Sequence, residues 1–286
     1  MPTTIETNRS LHNRIRMNWA FRRGKLIRGR YRLLRRLGVG SYGYTYLCRD
    51  LSHDQLCVLK VSLPARGSAE RAARIYQHEI NCLSAIRHPH IPALLETFAH
   101  SRYLCCTMTY IEGDTLDACL FRDGRVFAEC EALQLLHQLL DVVGYLHSKG
   151  FVHRDISIAN VMLTGNTVTL IDFGLARPIP ADETEQLRVE DVEADDPTDK
   201  RLRRALHPSS DFYALGHLLL FLLYSGYSEQ PGQEEAADAS WEEELRVHPD
   251  TKKLLRRLLM AEQPFSEAND IQQQIRAIVE SLSHRN

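Results

Sequence analysis

The stretch FVHRDISIANVML, from Phe151 to Leu163, combines charged and polar residues with apolar ones. It places Asp155 five residues ahead of Asn160, on a short polar segment between apolar runs. A carboxylate and an amide at this separation suit phosphoryl transfer, because the carboxylate can accept a proton and the amide oxygen can bind a metal ion. We therefore take Asp155 as a candidate proton acceptor and Asn160 as a candidate metal ligand.

A second acidic motif follows the opening stretch. Asp172, Phe173 and Gly174 form the sequence DFG directly after the apolar run VTLI. A carboxylate at the end of a strand, beside a flexible glycine, suits a Mg²⁺ ion that bridges phosphates. Asp172 is therefore a second candidate metal ligand.

Upstream, LGVGSYGYTY contains Gly38, Gly40 and Gly43 in the pattern GxGxxG. Glycines allow backbone N–H groups to approach phosphates closely. The pattern alone is weak, since a glycine-rich hairpin is often only structural. A dinucleotide-binding fold would need a helix immediately after the glycines, whereas the strand-like segment 44–49 follows here.

Lys60 lies inside the apolar strand CVLKV, and Glu79 lies on the helix predicted next. An isolated lysine in such a strand usually points to water from a sheet edge, and an isolated glutamate on such a helix is usually on the surface. Together the two side chains can form an ion pair that holds the lysine against phosphate oxygens.

The periodicity predicts a β-rich part followed by a helical part. Residues from Tyr31 to about Val61 alternate as short antiparallel strands, residues 69–86 show helical spacing, and two further strands end in the segment 103–111. Beyond Gly113 we expect helices at 128–148, 211–224, 250–260 and 268–283, with two short strands near 161–163 and 168–171.

The bulk composition is that of an ordinary globular protein, with 286 residues of which 44% are hydrophobic and 25% are charged. The seven cysteines are odd in number and lack metal-ligand spacing, which favours reduced thiols. The most apolar run, 212–224, is too short to span a bilayer and is expected to be a buried helix. These features predict a soluble, cytoplasmic protein.

Along the chain these five motifs occur in the order glycine-rich segment, Lys60, Glu79, the stretch with Asp155 and Asn160, and DFG. With this order, the chain resembles the protein kinase family over nearly its whole length. The resemblance implies an α+β bilobal fold, with one kinase domain from about residue 31 to 286. The N-lobe would span residues 28–110, the C-lobe residues 111–286, and residues 1–27 would form a basic arm. ATP would bind in the cleft as a cofactor with Mg²⁺, and Mn²⁺ is an alternative.

The resemblance also assigns roles to individual residues. Lys60 would contact the α- and β-phosphates, Glu79 would hold Lys60, Asp155 would accept the substrate proton, and Asn160 and Asp172 would bind the metal ion. Asp211 resembles the buried aspartate that anchors the catalytic loop. The remaining nucleotide-binding positions would be Leu37, Gly38, Val39, Gly40, Ser41, Tyr42, Gly43, Thr45, Val58, Met108, Thr109, Ile111 and Met162.

Three departures from the family pattern bear on function. Ser157 replaces the lysine usual in serine/threonine kinases, and Ala159 replaces the arginine usual in tyrosine kinases. The motif Ala-Pro-Glu is absent, which predicts an altered peptide-docking surface, and Val58 replaces a small alanine. We expect a slower enzyme rather than a dead one. Restoring Ser157→Lys should raise turnover, unless another cation already fills that role.

Charge is distributed unevenly along the chain. Residues 1–36 carry eleven Lys and Arg against Glu6 alone, while the segment 181–199 is strongly acidic. We expect the arm to contact either its own acidic segment or an anionic partner, and a solvated acidic loop is one alternative. A second alternative is that the acidic segment occupies the Arg154 pocket that a phosphorylated loop would fill, which would give an active form without phosphorylation. The sequence thus predicts a protein kinase acting on a protein hydroxyl, with Ser/Thr favoured and basic proteins as candidate substrates. An ATP-binding scaffold that recruits a partner without phosphorylating it is the competing hypothesis.

Overall fold

The computed structural model describes residues 19–40, 43–62, 69–182, 185, 198–227, 240–260 and 264–284. Three sets of predictions fall wholly or partly outside these ranges. They concern residues 1–18 of the basic arm, the nucleotide-binding candidates Ser41 and Tyr42, and residues 183–184 and 186–197 of the acidic segment.

The strands are β1 (Leu26–Ile27), β2 (Tyr31–Gly40), β3 (Gly43–Asp50), β4 (Gln55–Ser62), β5 (Leu94–His100), β6 (Tyr103–Thr109), β7 (Asp114–Thr115), β8 (Phe151–Val152), β9 (Val161–Thr164), β10 (Thr167–Leu170) and β11 (Arg177–Pro178). The helices are α1 (Ala69–Ala85), α2 (Glu129–Ser148), α3 (Thr198–Leu202), α4 (Pro208–Tyr224), α5 (Trp241–Glu244), α6 (Pro249–Leu259) and α7 (Ala268–Ser283), with a π-helical turn at Ala118–Arg122. The predicted strands and long helices are present. The sequence patterns did not predict the two-residue strands, the π-helical turn, α3 or α5.

The described residues divide into two compact units. Unit 1 contains the chain up to Ile80 together with Ala93–Tyr110, and unit 2 contains Asn81–Pro92 and the chain from Ile111.

Unit 1 is built on a six-stranded antiparallel sheet in the order β1-β2-β3-β4-β6-β5. Along β4, Cys57, Leu59 and Val61 are fully buried, while Val58 and Lys60 between them are only partly buried. Alternation of this kind places successive side chains on opposite faces of a sheet. One face therefore forms the hydrophobic core of unit 1, and the other carries Lys60.

The last residues of the predicted basic arm pack onto this core. Phe21 is 2% exposed and stacks on Tyr46 with ring centroids 5.8 Å apart. Ile27 is fully buried in the same cluster and pairs with Tyr31 across β1 and β2. The predicted arm therefore includes residues that belong to the sheet, because burying these apolar side chains outweighs their basic sequence neighbourhood.

Unit 2 is mainly helical. Helix α2 buries an apolar stripe that includes Leu133, Leu136, Leu140 and Val143, and it packs against α7 and α4. The apolar run predicted to be a buried helix forms most of α4, which begins with Pro208 at its first turn. Among the described residues, no helix is both long enough and apolar enough to cross a membrane.

Two small sheets in unit 2 position the motif residues. Strand β9 pairs with β10 in a tight hairpin and with β7 on its other edge. Strand β8 pairs with β11, with Val152 opposite Arg177. The start of the segment containing Asp155 and the end of the DFG segment are therefore held side by side.

Candidate active site

Lys60 lies in the middle of unit 1's sheet, directly opposite Thr45 on β3 and Cys106 on β6. Its Nζ lies 2.6 Å from Glu79 Oε1 on α1, and Glu79 is 3% exposed. Burying a carboxylate without an ion-pair or hydrogen-bond partner would destabilise the fold, and Lys60 is such a partner for Glu79. The predicted ion pair therefore forms, and it restricts where the Lys60 ammonium can lie.

Several nucleotide-binding candidates share the sheet face of Lys60, because cross-strand partners point to the same side. Val58 lies directly opposite Met108, and Thr45 lies opposite Lys60. The backbone N–H of Thr109 donates to Ala93 O at 3.0 Å. The backbone N–H of Thr109 is therefore already bonded within unit 1.

The glycine-rich segment forms the hairpin of β2 and β3, in which Gly38 pairs with Thr45, Val39 with Tyr44, and Gly40 with Gly43. Leu37 precedes them on β2, where the register is irregular between Arg36 and Gly38. The remaining candidates lie in unit 2, with Ile111 at its start and Met162 on β9 opposite Thr169.

In unit 2, Asp155 and Asn160 form a hydrogen-bonded pair. Asn160 Nδ2 donates to Asp155 O at 2.9 Å and to Asp155 Oδ2 at 3.0 Å. The amide nitrogen is thus committed to Asp155. Within the part of the chain that the structure describes, no hydrogen bond is donated to Asn160 Oδ1, which leaves that oxygen for a ligand.

Asp211 binds the backbone at the start of the loop that carries Asp155 and Asn160. Its carboxylate accepts the backbone N–H of His153 at 2.9 Å and of Arg154 at 2.8 Å, and His147 Nε2 lies 2.9 Å away. Burial favours the neutral acid, but these contacts outweigh it and hold the pKa of the Asp211 carboxyl below its ordinary value. The ionised carboxylate stabilises the loop even though Arg154 has a φ of 66°.

Asp172 also has a left-handed backbone, with a φ of 63°, and its Oδ1 accepts the N–H of Gly174 at 3.2 Å. Phe173 is 1% exposed and packs edge-on against His153, with ring centroids 4.8 Å apart. Burial lowers the pKa of His153, so this ring is neutral at pH 7. The DFG segment is thus anchored to the catalytic loop by an apolar contact.

The oxygens of Asn160 and Asp172 are hard ligands that suit Mg²⁺. The described residues contain no group of three or more His, Cys, Asp or Glu side chains arranged for a metal ion. A site of few protein ligands is typical of Mg²⁺, which completes its shell with phosphate oxygens and water. The residues present therefore fit a metal ion that binds together with a nucleotide.

The environment of Asp155 includes a cation that the sequence analysis missed. Arg204 NH2 lies 3.3 Å from Asp155 Oδ1. Burial raises the pKa of the Asp155 carboxyl above its ordinary value, and the Arg204 charge opposes that rise. The only sequence signal was the basic cluster RLRR at 201–204, which carries no information on a partner 49 residues away.

The segment around Arg204 lies between the DFG motif and Asp211, in the part of the chain where the motif Ala-Pro-Glu is absent. Asp199 on α3 accepts a hydrogen bond from Tyr213 Oη at 2.9 Å and pairs with Arg203 at 3.2 Å. The buried guanidinium of Arg154 donates from Nε to Arg204 O at 2.8 Å and from NH1 to Leu175 O at 3.3 Å. These contacts fix the segment to α4 and to Arg154.

Comparison with known protein families matches residues 31–286 to the protein kinase domain. A Bacillus subtilis (strain 168) protein named "Probable serine/threonine-protein kinase YbdM" is 32% identical over 260 residues, which cover 91% of this chain and 93% of that protein. Serine/threonine-protein kinase B of Synechocystis sp. is 25% identical over 276 residues, but these cover only 46% of its own length. Serine/threonine-protein kinase pkn2 of Myxococcus xanthus is 34% identical over 166 residues, or 19% of its length.

The chain therefore belongs to the protein kinase family. The predicted family and the predicted α+β kinase fold are confirmed. Membership implies that the chain uses ATP, a divalent metal ion and a protein substrate.

Proposed function

We propose that this chain transfers the γ-phosphoryl group of ATP to the hydroxyl of a serine or threonine in a protein. The observation that carries the proposal is the pairing of Asp155 with Asn160 above the buried Asp211 anchor. Such an arrangement holds a proton acceptor and a metal ligand in a fixed relation.

The reaction forms a bond between the substrate hydroxyl oxygen and the γ-phosphorus. The bond from that phosphorus to the bridging oxygen of ADP breaks, and the hydroxyl proton passes to Asp155. Asn160 Nδ2 orients the Asp155 carboxylate through its 3.0 Å hydrogen bond, so that the other oxygen of Asp155 faces the hydroxyl.

Asn160 Oδ1 and the Asp172 carboxylate would hold the metal ion, for which Mg²⁺ is the proposed species and Mn²⁺ the alternative. When bound, that ion would neutralise negative charge on the phosphate oxygens. Lys60, held by Glu79 at 2.6 Å, would bind the α- and β-phosphates.

The names of the relatives support serine and threonine over tyrosine, since all three are called serine/threonine-protein kinases. All five residues of the catalytic set, Lys60, Glu79, Asp155, Asn160 and Asp172, are present. A scaffold that only binds ATP has usually lost at least one of them, so catalysis is favoured over the scaffold. We propose basic proteins as substrates, on account of the acidic segment at 181–199.

The test is transfer of labelled γ-phosphate from ATP, with Mg²⁺ and in parallel with Mn²⁺, to the chain itself and to a basic protein. Asp172→Asn serves as the blank. Asp123→Asn is the matched control, because Asp123 is an exposed carboxylate that pairs with Arg122 on the surface. We expect label with the native chain and the control but not with the blank, and phosphoamino acid analysis should identify serine or threonine.

Transfer to tyrosine alone would contradict the serine/threonine assignment. No transfer by the native chain, combined with thermal stabilisation by ATP, would support the scaffold instead.

A further inference from the structure

With Ser157, the catalytic loop lacks a positive charge near the transferred phosphoryl group. At the position two residues after Asp155, a serine cannot supply the positive charge that the transferring phosphoryl group attracts. Ser157 lines a cavity of about 160 Å³ in unit 2 together with Asp155 and Arg204. The same cavity therefore holds the proton acceptor, the position of the lost cation, and a guanidinium from a distant segment.

Arg204 is positioned for this role by its own backbone and side chain. Its side chain is 18% exposed, and NH2 lies 3.3 Å from Asp155 Oδ1. Its carbonyl oxygen accepts the 2.8 Å hydrogen bond from Arg154, whose own backbone N–H is bound by Asp211. The backbone of Arg204 is thus connected through Arg154 to Asp211, which also binds the start of the catalytic loop.

We propose that Arg204 supplies, from the segment after DFG, the positive charge that Ser157 cannot supply from the catalytic loop. This inference rests on the proposed kinase function. A guanidinium presents five N–H donors in a planar fork. One donor of Arg204 orients Asp155, and the others remain for an oxygen of the transferred phosphoryl group.

The pairing of Arg204 with Asp155 has an opposite interpretation, in which the arginine blocks the proton acceptor. The two interpretations predict opposite changes in turnover when Arg204 is removed. The exposed Arg201 provides a matched control, since it lies on α3 three residues before Arg204 and does not line the cavity.

The experiment measures kcat and the KM for ATP in six proteins: the native chain, Arg204→Ala, Arg204→Lys, Arg201→Ala, Ser157→Lys, and the double variant Ser157→Lys with Arg204→Ala. We expect Arg204→Ala to lower kcat by roughly 10²-fold with little change in KM, as for the loss of one preorganised donor. Arg204→Lys should retain part of the activity, and Arg201→Ala should match the native chain.

The double variant is the decisive measurement. A lysine at position 157 should recover most of the lost kcat when Arg204 is absent, and should add little when Arg204 is present. Thermal unfolding of each variant separates loss of catalysis from loss of folding, and recovery in the double variant excludes misfolding as the cause.

Three results would overturn the inference. These are a kcat that rises or stays unchanged in Arg204→Ala, a lysine at 157 that fails to rescue the folded double variant, and a lysine that raises kcat equally with and without Arg204. Failure of the proposed function is distinguishable, because the native chain would then transfer no phosphoryl group. If Ser157→Lys alone restored transfer to such an inactive chain, Arg204 would be shown not to fill the role.

Discussion

Asp211 is the residue of α4 that binds the catalytic loop, and it does so through its carboxylate. It is fully buried, and it binds two consecutive backbone N–H groups, those of His153 and Arg154. Removing one partner of a buried hydrogen-bonded charge leaves the other groups unsatisfied.

We expect Asp211→Asn to lower the free energy of unfolding by about 2–4 kcal/mol, because an amide can accept fewer of these bonds and carries no charge. Urea denaturation at pH 7 measures the change. Asp123→Asn, an exposed carboxylate in the same unit, should change stability by less than about 0.5 kcal/mol. Equal stabilities for the two variants would refute the anchoring role of Asp211.

The hairpin of β2 and β3 illustrates how one element combines structural and functional glycines. A Cβ added to Gly43 would lie 2.3 Å from the carbonyl oxygen of Val61 on β4, which is backbone and cannot move aside. A Cβ added to Gly38 would meet no atom of the described residues within 4 Å. Packing therefore explains why position 43 is a glycine and does not explain why position 38 is one.

We expect Gly43→Ala to lower the free energy of unfolding by about 1–3 kcal/mol through this clash. Gly38→Ala should leave the melting temperature unchanged and raise the KM for ATP, because a methyl group would hinder approach of the phosphates to the backbone. Thermal unfolding and the KM for ATP, measured on both variants, test the two predictions. A Gly38→Ala variant with native kinetics would remove the argument that this glycine contacts phosphate.

At the scale of the whole molecule, histidines that are fully or partly buried make stability depend on pH. Burial lowers the pKa of four of them: His88, His100, His153 and His217. The unfolded chain therefore binds more protons than the folded chain below the ordinary histidine pKa of about 6.5. The stabilisation from keeping these rings neutral is complete above that pKa and decreases as pH falls below it.

We expect the free energy of unfolding to change little between pH 7.5 and about pH 6.5 and to decrease from there to pH 5. The limiting slope is about 1.4 kcal/mol per pH unit for each extra proton that the unfolded chain binds. A further decrease should follow below about pH 4, where Asp211, whose pKa lies below its ordinary value, becomes protonated. Urea denaturation across this range provides the measurement, and the decrease below pH 4 should be smaller in Asp211→Asn. Stability that is flat or rising between pH 7.5 and pH 5 would contradict the prediction.

The sequence alone determined the order of the longer strands and helices and the identity of the paired motif residues. Alternating apolar residues predicted the strands around Lys60, helical spacing predicted α1 and α2, and the motifs around Asp155 and Asp172 predicted phosphoryl transfer. These signals are readable because each depends on periodicity or spacing within a short segment.

Only the tertiary structure placed Arg204 beside Asp155 and Phe21 within the core of unit 1. The position of Arg204 depends on long-range contacts, such as Asp199 with Tyr213 and Arg154 with the Arg204 carbonyl. No local pattern encodes such contacts, because they arise from the way distant segments pack. The local sequence thus determined which groups are candidates for the chemistry, while long-range packing decided which cation lies beside Asp155.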